Sequence, residues 1–402
     1  MKASLLSFPY IWLMERNYGE RTCLCALNRL LGFEPQVAHR LVRAAGSAAA
    51  LFRLSPEEKL RMFGPFSRIA PMLDGRELER TEAELERLSD AGCRFITYDE
   101  PGYPALLREC PDAPLGLYYR SGSEPEAVFN RRPQIAVVGT RDISLYGKEW
   151  CRKIVGALAT SKRKPLVVSG FALGTDITAH LAALEAGLPT VAVLPTGIDD
   201  VYPSRHRSFA ATLAATEGCA LVTDYPPGTE PKAINFIRRN RIIAGMCSGT
   251  ILVESKAKGG GMITARLAAS YDRDVLVLPG RADDPRSQGC NALLREKIAE
   301  PVTDTVHFLE TLGLGRPPRR RTAGFEDEVR DYFSSRLGQE DLADLMTVAG
   351  IIRRCRGVTA EGICPEACLP YGRVASLVGM LESEGFISTD ILQRCTINVK
   401  IV

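Results

Sequence analysis

Six short apolar runs, spaced about 25 to 30 residues apart, restrict the possible folds of this chain more than any other feature. Most positions in each run are apolar, without the strict alternation expected of a strand with one solvated face. The runs are IAVVG (135–139), PLVVSG (165–170), TVAVLP (190–195), ALVTD (220–224), TILVE (250–254) and VLVLPG (275–280). Helical patterns lie between them, so the sequence predicts an α/β fold with an extended Rossmann-like parallel sheet over about residues 132–314.

The segments on either side of the sheet follow other patterns. Residues 1–90 read as short helices broken by glycine and Ser-Pro, which predicts a small helical domain before a sheet domain at 91–314. Residues 315–325 combine proline, glycine and a basic run, as is typical of a linker. Residues 326–402 contain helical patterns, then a glycine turn and a β-rich tail, which predicts a winged-helix-like domain.

Composition excludes several classes of protein. No run of 18 apolar residues exists, so we expect no transmembrane helix and no membrane partner, and the N-terminal residues lack a signal-peptide pattern. The twelve cysteines have no repeating spacing, which favours reduced thiols in the cytoplasm. The net charge of +3 is too small to identify a partner, so local clusters of charge decide the question.

Glycine occurs in every loop that follows one of the six runs, at the edge where parallel sheets bind their ligands. Glycine lets backbone N–H groups approach an anion, and a helix N-terminus adds partial positive charge. The segment 259–261 is three glycines that lead into a helical pattern with Thr264 in its first turn, and Gly139-Thr140-Arg141 adds a guanidinium group. These loops predict anion binding, although glycines that only form tight turns remain the alternative.

The segment FIRRNRIIAG (236–245) contains three arginines, an asparagine and an aromatic ring but no acidic residue. It follows the fourth run, so we expect it at the same edge as the glycine loops. Guanidinium groups bind phosphates in a bidentate manner, and Phe236 could stack on a base or pack in the core. The alternative is a solvated charged face paired with acidic residues elsewhere, such as Asp224 or Glu254.

The sequence offers little catalytic chemistry. Its four histidines form no metal-ligand spacing, and His180 lies in a helical pattern where packing is the simpler role. Neither a G-x-S-x-G elbow nor a Walker A motif occurs. Cys364 and Cys368 are a weak metal signal, so we expect no metal, no cofactor and no enzymatic activity. An enzyme acting on a nucleotide or a nucleotide-derived substrate, with Asp176 or Glu254 as acid or base, is the alternative.

Together, the strand-end motifs resemble the DNA-processing protein A (DprA/Smf) family. The matching motifs are VVGTRDISLYG, SGFALGTDITAHLAAL, VAVLPTGIDDVYP, DYPPGTEP, FIRRNRIIAG, GGGMITARLA, VLPG and GCNALL, in the family's order. Residues 1–90 resemble its SAM-like or helix-hairpin-helix domain, and the tail resembles the winged-helix domain of some members.

This resemblance implies a homodimer that binds single-stranded DNA without being an enzyme, and that helps to load a RecA-type recombinase during natural transformation. It also implies a set of DNA-binding residues on the matching motifs. They are Gly139, Thr140, Arg141, Ser144, Ser169, Gly170, Lys232, Phe236, Arg239, Asn240, Arg241, Gly260, Gly261, Thr264 and Asn291. Binding of duplex DNA through the winged-helix-like domain alone is a third possibility.

Overall fold

The computed structural model describes residues 18–315, 325–355, 357–390 and 393–398. The chain divides into two compact units, Met1–Pro318 and Arg319–Val402. Nearly all of the predicted linker and the last four residues of the predicted β-rich tail lie outside the described residues. The helical region at 1–90 belongs to the same compact unit as the sheet.

Within residues 18–90, five α-helices precede the sheet, and they have their own apolar core. Ser55 begins one of them with a reciprocal capping box to Glu58, which satisfies two backbone N–H groups that the helix leaves unpaired. Leu24, Leu27 and Leu51 are fully buried among these helices. The helices are α1 (Glu20–Leu31), α2 (Pro35–Ala45), α3 (Ala48–Arg53), α4 (Pro56–Phe63) and α5 (Gly75–Asp90), with a 3₁₀ turn at Ala70–Met72.

A nine-stranded sheet forms the centre of the first unit, and the prediction of a large, mostly parallel sheet is confirmed. The strands are β1 (Arg94–Thr97), β2 (Gly116–Arg120), β3 (Gln134–Val138), β4 (Leu166–Ser169), β5 (Thr190–Val193), β6 (Ala220–Thr223), β7 (Gly249–Leu252), β8 (Asp274–Val277) and β9 (Glu300–Pro301). Their order is β1-β2-β6-β5-β4-β3-β7-β8-β9. Strands β3 to β9 are parallel, and β1 and β2 add an antiparallel ribbon beside β6. The six apolar runs are β3 to β8.

Helices cover both faces of this sheet. The helices are α6 (Ala105–Arg108), α7 (Pro125–Phe129), α8 (Leu145–Thr160), α9 (Thr175–Glu185), α10 (Arg207–Ala215), α11 (Ala233–Met246), α12 (Gly260–Ser270), α13 (Gln288–Arg295) and α14 (His307–Thr311), with a 3₁₀ turn at Ser204–His206. Helices α8 and α9 bury Ile154 and Ala179 against one face. Helices α11 and α12 bury Ile242 and Ala265 against the other. Burial on both faces explains why the strands are apolar throughout.

The chain reverses its direction across the sheet next to β3. From β3 it proceeds through β4 and β5 to β6, and it then returns through α11 to β7 on the other side of β3. Such a reversal opens a crevice at the carboxyl ends of β3 and β7. Open α/β sheets bind their ligands in a crevice of this kind.

The second unit has a separate core. It contains α15 (Phe325–Phe333), α16 (Gln339–Arg354), β10 (Val358–Thr359), α17 (Ala360–Ala367), α18 (Tyr371–Ser383), β11 (Ile387–Thr389) and β12 (Arg394–Ile397). The three strands form an antiparallel sheet in the order β10-β12-β11. Val348, Leu377 and Phe386 pack in the centre. Within the described residues of either unit, no helix is both long and apolar enough to cross a membrane.

Candidate functional site

A cavity of about 720 Å³ lies at the carboxyl edge of the sheet, where the chain reverses. Its walls come from the loops after five of the six predicted strands, β3 to β7, and from the first turns of α11 and α12. The loop after β8 does not line it. The predicted convergence of the strand-end loops is therefore present for β3 to β7.

An aromatic ring and a guanidinium group contact each other at the wall of this cavity. The Cζ of Arg141, in the loop after β3, lies 4.5 Å from the centroid of the Phe236 ring on α11. Tyr202 meets the same ring edge-on, with 5.4 Å between the centroids. Arg141 and Tyr202 are exposed and Phe236 is half-buried, so aromatic rings and a guanidinium group share one opening.

Glycines allow the strand-end loops to approach one another closely. A Cβ atom on Gly261 would lie 2.6 Å from Leu252 Cδ1 and 3.2 Å from the Cα of Gly139. Gly174 has a φ of +78°, and a Cβ there would lie 2.4 Å from the carbonyl oxygen of Thr140. That carbonyl accepts hydrogen bonds from the backbone N–H and the hydroxyl of Thr175, which fixes the loop that carries Arg141.

The loop between β7 and α12 adds positive charge to the same wall. Lys256 and Lys258 are exposed and line the cavity. Among the described residues, neither has a carboxylate within ion-pair distance. Helix α12 begins next to them without a side-chain cap, and its first residue, Gly260, also lines the cavity. Unpaired ammonium groups beside an uncapped helix N-terminus form an electrostatic environment that favours phosphate.

Arg239 lies at the bottom of the cavity and is only 3% exposed. Its guanidinium donates hydrogen bonds to the carbonyl oxygens of Gly170 and Val193, just beyond β4 and at the end of β5. Burial lowers the pKa of Arg239 to about 10, although the nearby Asp176 carboxylate acts to raise it. Burial also raises the pKa of Asp176, and Arg239 opposes that shift. Arg239 therefore joins the strand ends and presents little of its surface to a ligand.

The structure brings nine of the fifteen predicted binding residues together around this cavity. They are Gly139, Thr140, Arg141, Phe236, Arg239, Asn240, Gly260, Gly261 and Thr264. Thr264 and Asn240 are largely buried, and the Asn240 side-chain amide donates to the carbonyl oxygen of Gly260. This contact joins α11 to the start of α12.

Four predicted residues lie near the strand ends but do not line the cavity. The Ser144 hydroxyl caps α8 and donates to a Glu254 carboxylate oxygen at 2.5 Å. The buried Ser169 hydroxyl donates to the carbonyl oxygen of Val137. Gly170 makes room for the Arg239 guanidinium. Asn291 exchanges two hydrogen bonds with the backbone of Gly280 beyond β8.

Arg241 also lies away from the cavity. Its guanidinium forms a buried ion pair with Asp224 at 2.5 Å and donates to the backbone carbonyl of Asp112. Pairing with Asp224 is the alternative that the sequence left open for these arginines, and the structure shows it for Arg241. Lys232, the remaining predicted residue, lines a second cavity on another side of α11.

The candidates for acid–base catalysis have structural contacts. Glu254 is 2% exposed, and both the backbone N–H and the hydroxyl of Ser144 donate to it. His180 is fully buried against Thr190, and burial lowers its pKa to about 3. Asp176 lines the cavity but accepts from the backbone N–H of Ala172. Among the described residues, no three His, Cys, Asp or Glu side chains are grouped so as to hold a metal.

Among the exposed large apolar side chains of the cavity wall, sequence reasoning missed two, Tyr202 and Ile237. Tyr202 comes from the loop after β5, and its position beside Phe236 depends on how that loop folds. The motif VYP (201–203) gave no sign of that contact. Ile237 is next to Phe236 in the sequence, and its exposure follows from the position of its helix at the sheet edge.

Comparison with known proteins gives a consistent result. The family model described as DNA recombination-mediator protein A matches residues 94–313, which is more than half of the chain. Protein Smf of Synechocystis is 38% identical over 229 residues, which is 57% of this chain and 56% of that protein. DNA processing protein DprA of Streptococcus pneumoniae is 37% identical over 194 residues, which is 48% of this chain and 66% of that protein. The matches therefore span less than two thirds of these relatives.

A solved structure supports the same assignment. The X-ray structure of DNA processing protein A (DprA) from Streptococcus pneumoniae superposes with a TM-score of 0.55 at 26% identity. The superposition covers 77% of this chain and 98% of that one. The family resemblance read from the strand-end motifs is thus confirmed.

Proposed function

This chain belongs to the DNA recombination-mediator protein A family, and we propose that it binds single-stranded DNA in the cavity at the carboxyl edge of its sheet. One observation carries the proposal: Arg141, Lys256 and Lys258, which have no carboxylate within ion-pair distance in the described part of the chain, line the same open cavity as the Phe236 ring. Cations neutralise the phosphates of a single strand, and an aromatic ring stacks on its unpaired bases.

An extended polyanion suits this site better than a single mononucleotide. Arg141 lies on one wall, and Lys256 and Lys258 lie on another. Several separate cations can neutralise successive phosphates of a strand while a base stacks on Phe236. Such contacts give little sequence specificity, because every base has a π-face.

We propose that this binding serves recombination rather than catalysis. The protein would act as a homodimer that helps to load a RecA-type recombinase onto single strands during natural transformation. The contacts that occupy Glu254 support a non-enzymatic role. All twelve cysteines carry free thiols, which supports a reducing compartment such as the cytoplasm.

The finer domain assignments are part of the same proposal. We propose that the helices within residues 1–90 form a SAM-like module. We also propose that residues 326–402 form a winged-helix-like module, since a helix, a glycine turn at Gly385 and two antiparallel strands follow one another there. Within the described part of the chain, the residues that line the main cavity belong to neither of these modules.

Fluorescence anisotropy with a labelled oligo-dT, measured across a salt series, tests the proposal. The parent protein should bind with an affinity that falls steeply with salt, and Phe236→Ala combined with Lys258→Ala should weaken binding at least about tenfold. Turnover of nucleotides without binding of oligo-dT would instead support the enzyme alternative, with Asp176 as the candidate acid or base.

Two further assays address the partners. Analytical ultracentrifugation should show a dimer, and a monomer at every concentration would contradict the proposed assembly. A recombinase should assemble faster on single strands coated with single-strand-binding protein when this chain is present. An unchanged assembly rate would remove the loading role while leaving DNA binding intact.

A further inference from the structure

A second cavity, of about 330 Å³, lies on the side of α11 away from Phe236. The turn between α1 and α2 forms one wall, and the loop between β6 and α11 forms the other. Phe33, Tyr225, Pro226 and Lys232 are among the residues that line it. Its volume is near the lower limit for small-ligand sites, which suits one nucleotide.

Phe33 and Arg238 repeat the pairing seen in the first cavity. The Phe33 ring is 57% exposed, and the Arg238 guanidinium carbon lies 4.0 Å from the ring centroid. Residues 236 and 238 point roughly 200° apart around the helix, because each residue turns an α-helix by about 100°. Helix α11 therefore carries one aromatic–guanidinium pair on each of two sides.

Most other charges around the second cavity are already paired. Arg29 contacts Glu77 and Glu84, and Asp224 contacts Arg241. Within the described part of the chain, neither Lys232 nor Arg238 has a carboxylate in ion-pair distance. Lys232 and the acidic Glu230 line the cavity, and the Arg238 guanidinium lies against the Phe33 ring. One cation on the cavity wall and one on the ring therefore flank the exposed π-face.

The two cavities meet at the start of α11. Pro231 and Ala233 line the first cavity, whereas Lys232, between them in sequence, lines the second. Consecutive residues at this helix end therefore line both cavities. This adjacency favours one extended strand as the occupant of both over two unrelated ligands.

We propose that Phe33 and Arg238 form a second stacking site for an unpaired base of the same single strand, with Lys232 on a neighbouring phosphate. The inference rests on the proposed function, which it extends to the helices before the sheet. The base would stack on the exposed face of the aromatic–guanidinium pair. Only strands long enough to occupy both cavities would use this site.

Anisotropy with oligo-dT of two lengths, about 6 and about 20 nucleotides, tests this site in the full chain. Phe33→Leu keeps an apolar side chain but removes the π-face, so it should weaken binding of the long strand about tenfold and leave the short strand unchanged. Phe33→Trp should restore the affinity. Phe66→Leu is the matched control, because Phe66 is 95% exposed in the turn after α4.

Photo-crosslinking provides a second readout that does not depend on affinity. A long strand containing 5-iododeoxyuridine should crosslink to the peptide that contains Phe33. The inference is wrong if Phe33→Leu and Phe66→Leu bind the long strand equally well while Phe236→Ala still weakens binding. A parent protein that binds neither length would overturn the proposed function and this inference together.

Discussion

The Arg141 guanidinium lies 4.5 Å from the centroid of the Phe236 ring, and this contact joins the loop after β3 to helix α11. The two residues are 95 positions apart in the sequence, and the reversal of the chain next to β3 brings them together. The contact places a cation and an aromatic ring side by side at the carboxyl edge of the sheet.

Replacing Arg141 with alanine should weaken single-strand binding at least about tenfold, because a charge-assisted phosphate contact is lost. The thermal midpoint should change little, since an exposed cation–π contact contributes only about 0.5–1 kcal/mol to stability. Anisotropy and thermal unfolding measure the two effects. Arg163→Ala is the matched control, because Arg163 is exposed in the loop before β4, at the opposite edge of the sheet. Equal affinities for the two variants would exclude Arg141 from the site.

If Lys256 and Lys258 contact phosphates, they contribute to the salt dependence of DNA binding. Each phosphate contact with a single strand contributes about 0.7 to the slope of log K against log salt. Replacing both lysines with alanine should therefore lower the slope by up to about 1.4. The variant Lys162→Ala/Arg163→Ala removes the same charge from the opposite edge and should leave the slope unchanged. A slope that falls equally in both variants would indicate a general charge effect.

Arg241→Ala should destabilise the fold by about 3–5 kcal/mol, because Asp224 would remain buried without its partner. Burial raises the pKa of Asp224 in the parent, and loss of Arg241 should raise it further. The loss in the free energy of unfolding relative to the parent should be largest at pH 7. It should shrink as the pH falls through that raised pKa, since a protonated carboxyl needs no counter-ion. Urea unfolding at pH 7 and at about pH 5 measures this difference.

A matched control for Arg241 is Arg281→Ala, which breaks the exposed pair with Asp283 and should change stability by less than about 1 kcal/mol. Similar losses in the two variants would contradict a structural role for Arg241. Arg239 is buried among carbonyl groups as well. Substitutions at Arg239 and Arg241 therefore report on folding before they report on DNA contact.

The sequence predicted the parallel sheet because strands buried on both faces must be apolar throughout, and the spacing of the runs set the βαβ order. It also placed the glycine loops and the segment 236–245 at one edge. Strands β1 and β2 were missed, because their segments RFIT and GLYYR are short and follow no clear period. Their strand character comes from pairing beside β6.

Within the site, the sequence could not separate arginines that face a ligand from arginines that support the fold. Arg238, Arg239 and Arg241 have the same chemistry and lie within four positions. Arg239 and Arg241 are buried because carbonyl groups and Asp224 accept their hydrogen bonds, whereas Arg238 reaches Phe33. The sequence named Asp224 as a possible partner, but it could not tell which arginine pairs with it. The carbonyl groups and the Phe33 ring come from distant parts of the chain, so the local pattern does not reveal them.

Gly174→Ala should disturb the loop that carries Arg141. The residue has a φ of +78°, and a Cβ would lie 2.4 Å from the Thr140 carbonyl oxygen. We expect a loss of about 1–3 kcal/mol in the free energy of unfolding, together with weaker DNA binding. Gly156→Ala is the control, since open space surrounds that position within α8 and alanine should stabilise the helix by up to about 1 kcal/mol. Unchanged stability in Gly174→Ala would show that the loop adapts without strain.

Removal of residues 319–402 should leave most single-strand binding intact. The described residues that line the main cavity all lie between Val138 and Thr264, and the first unit buries its own core. The truncated chain should unfold cooperatively and retain its affinity for oligo-dT within about threefold, which is less than one stacked base contributes. Arg141→Ala in the truncated chain should cause the same loss as in the full chain. A complete loss of binding on truncation, with cooperative unfolding preserved, would place the main DNA site in the second unit, as duplex or single-strand binding by a winged-helix-like module requires.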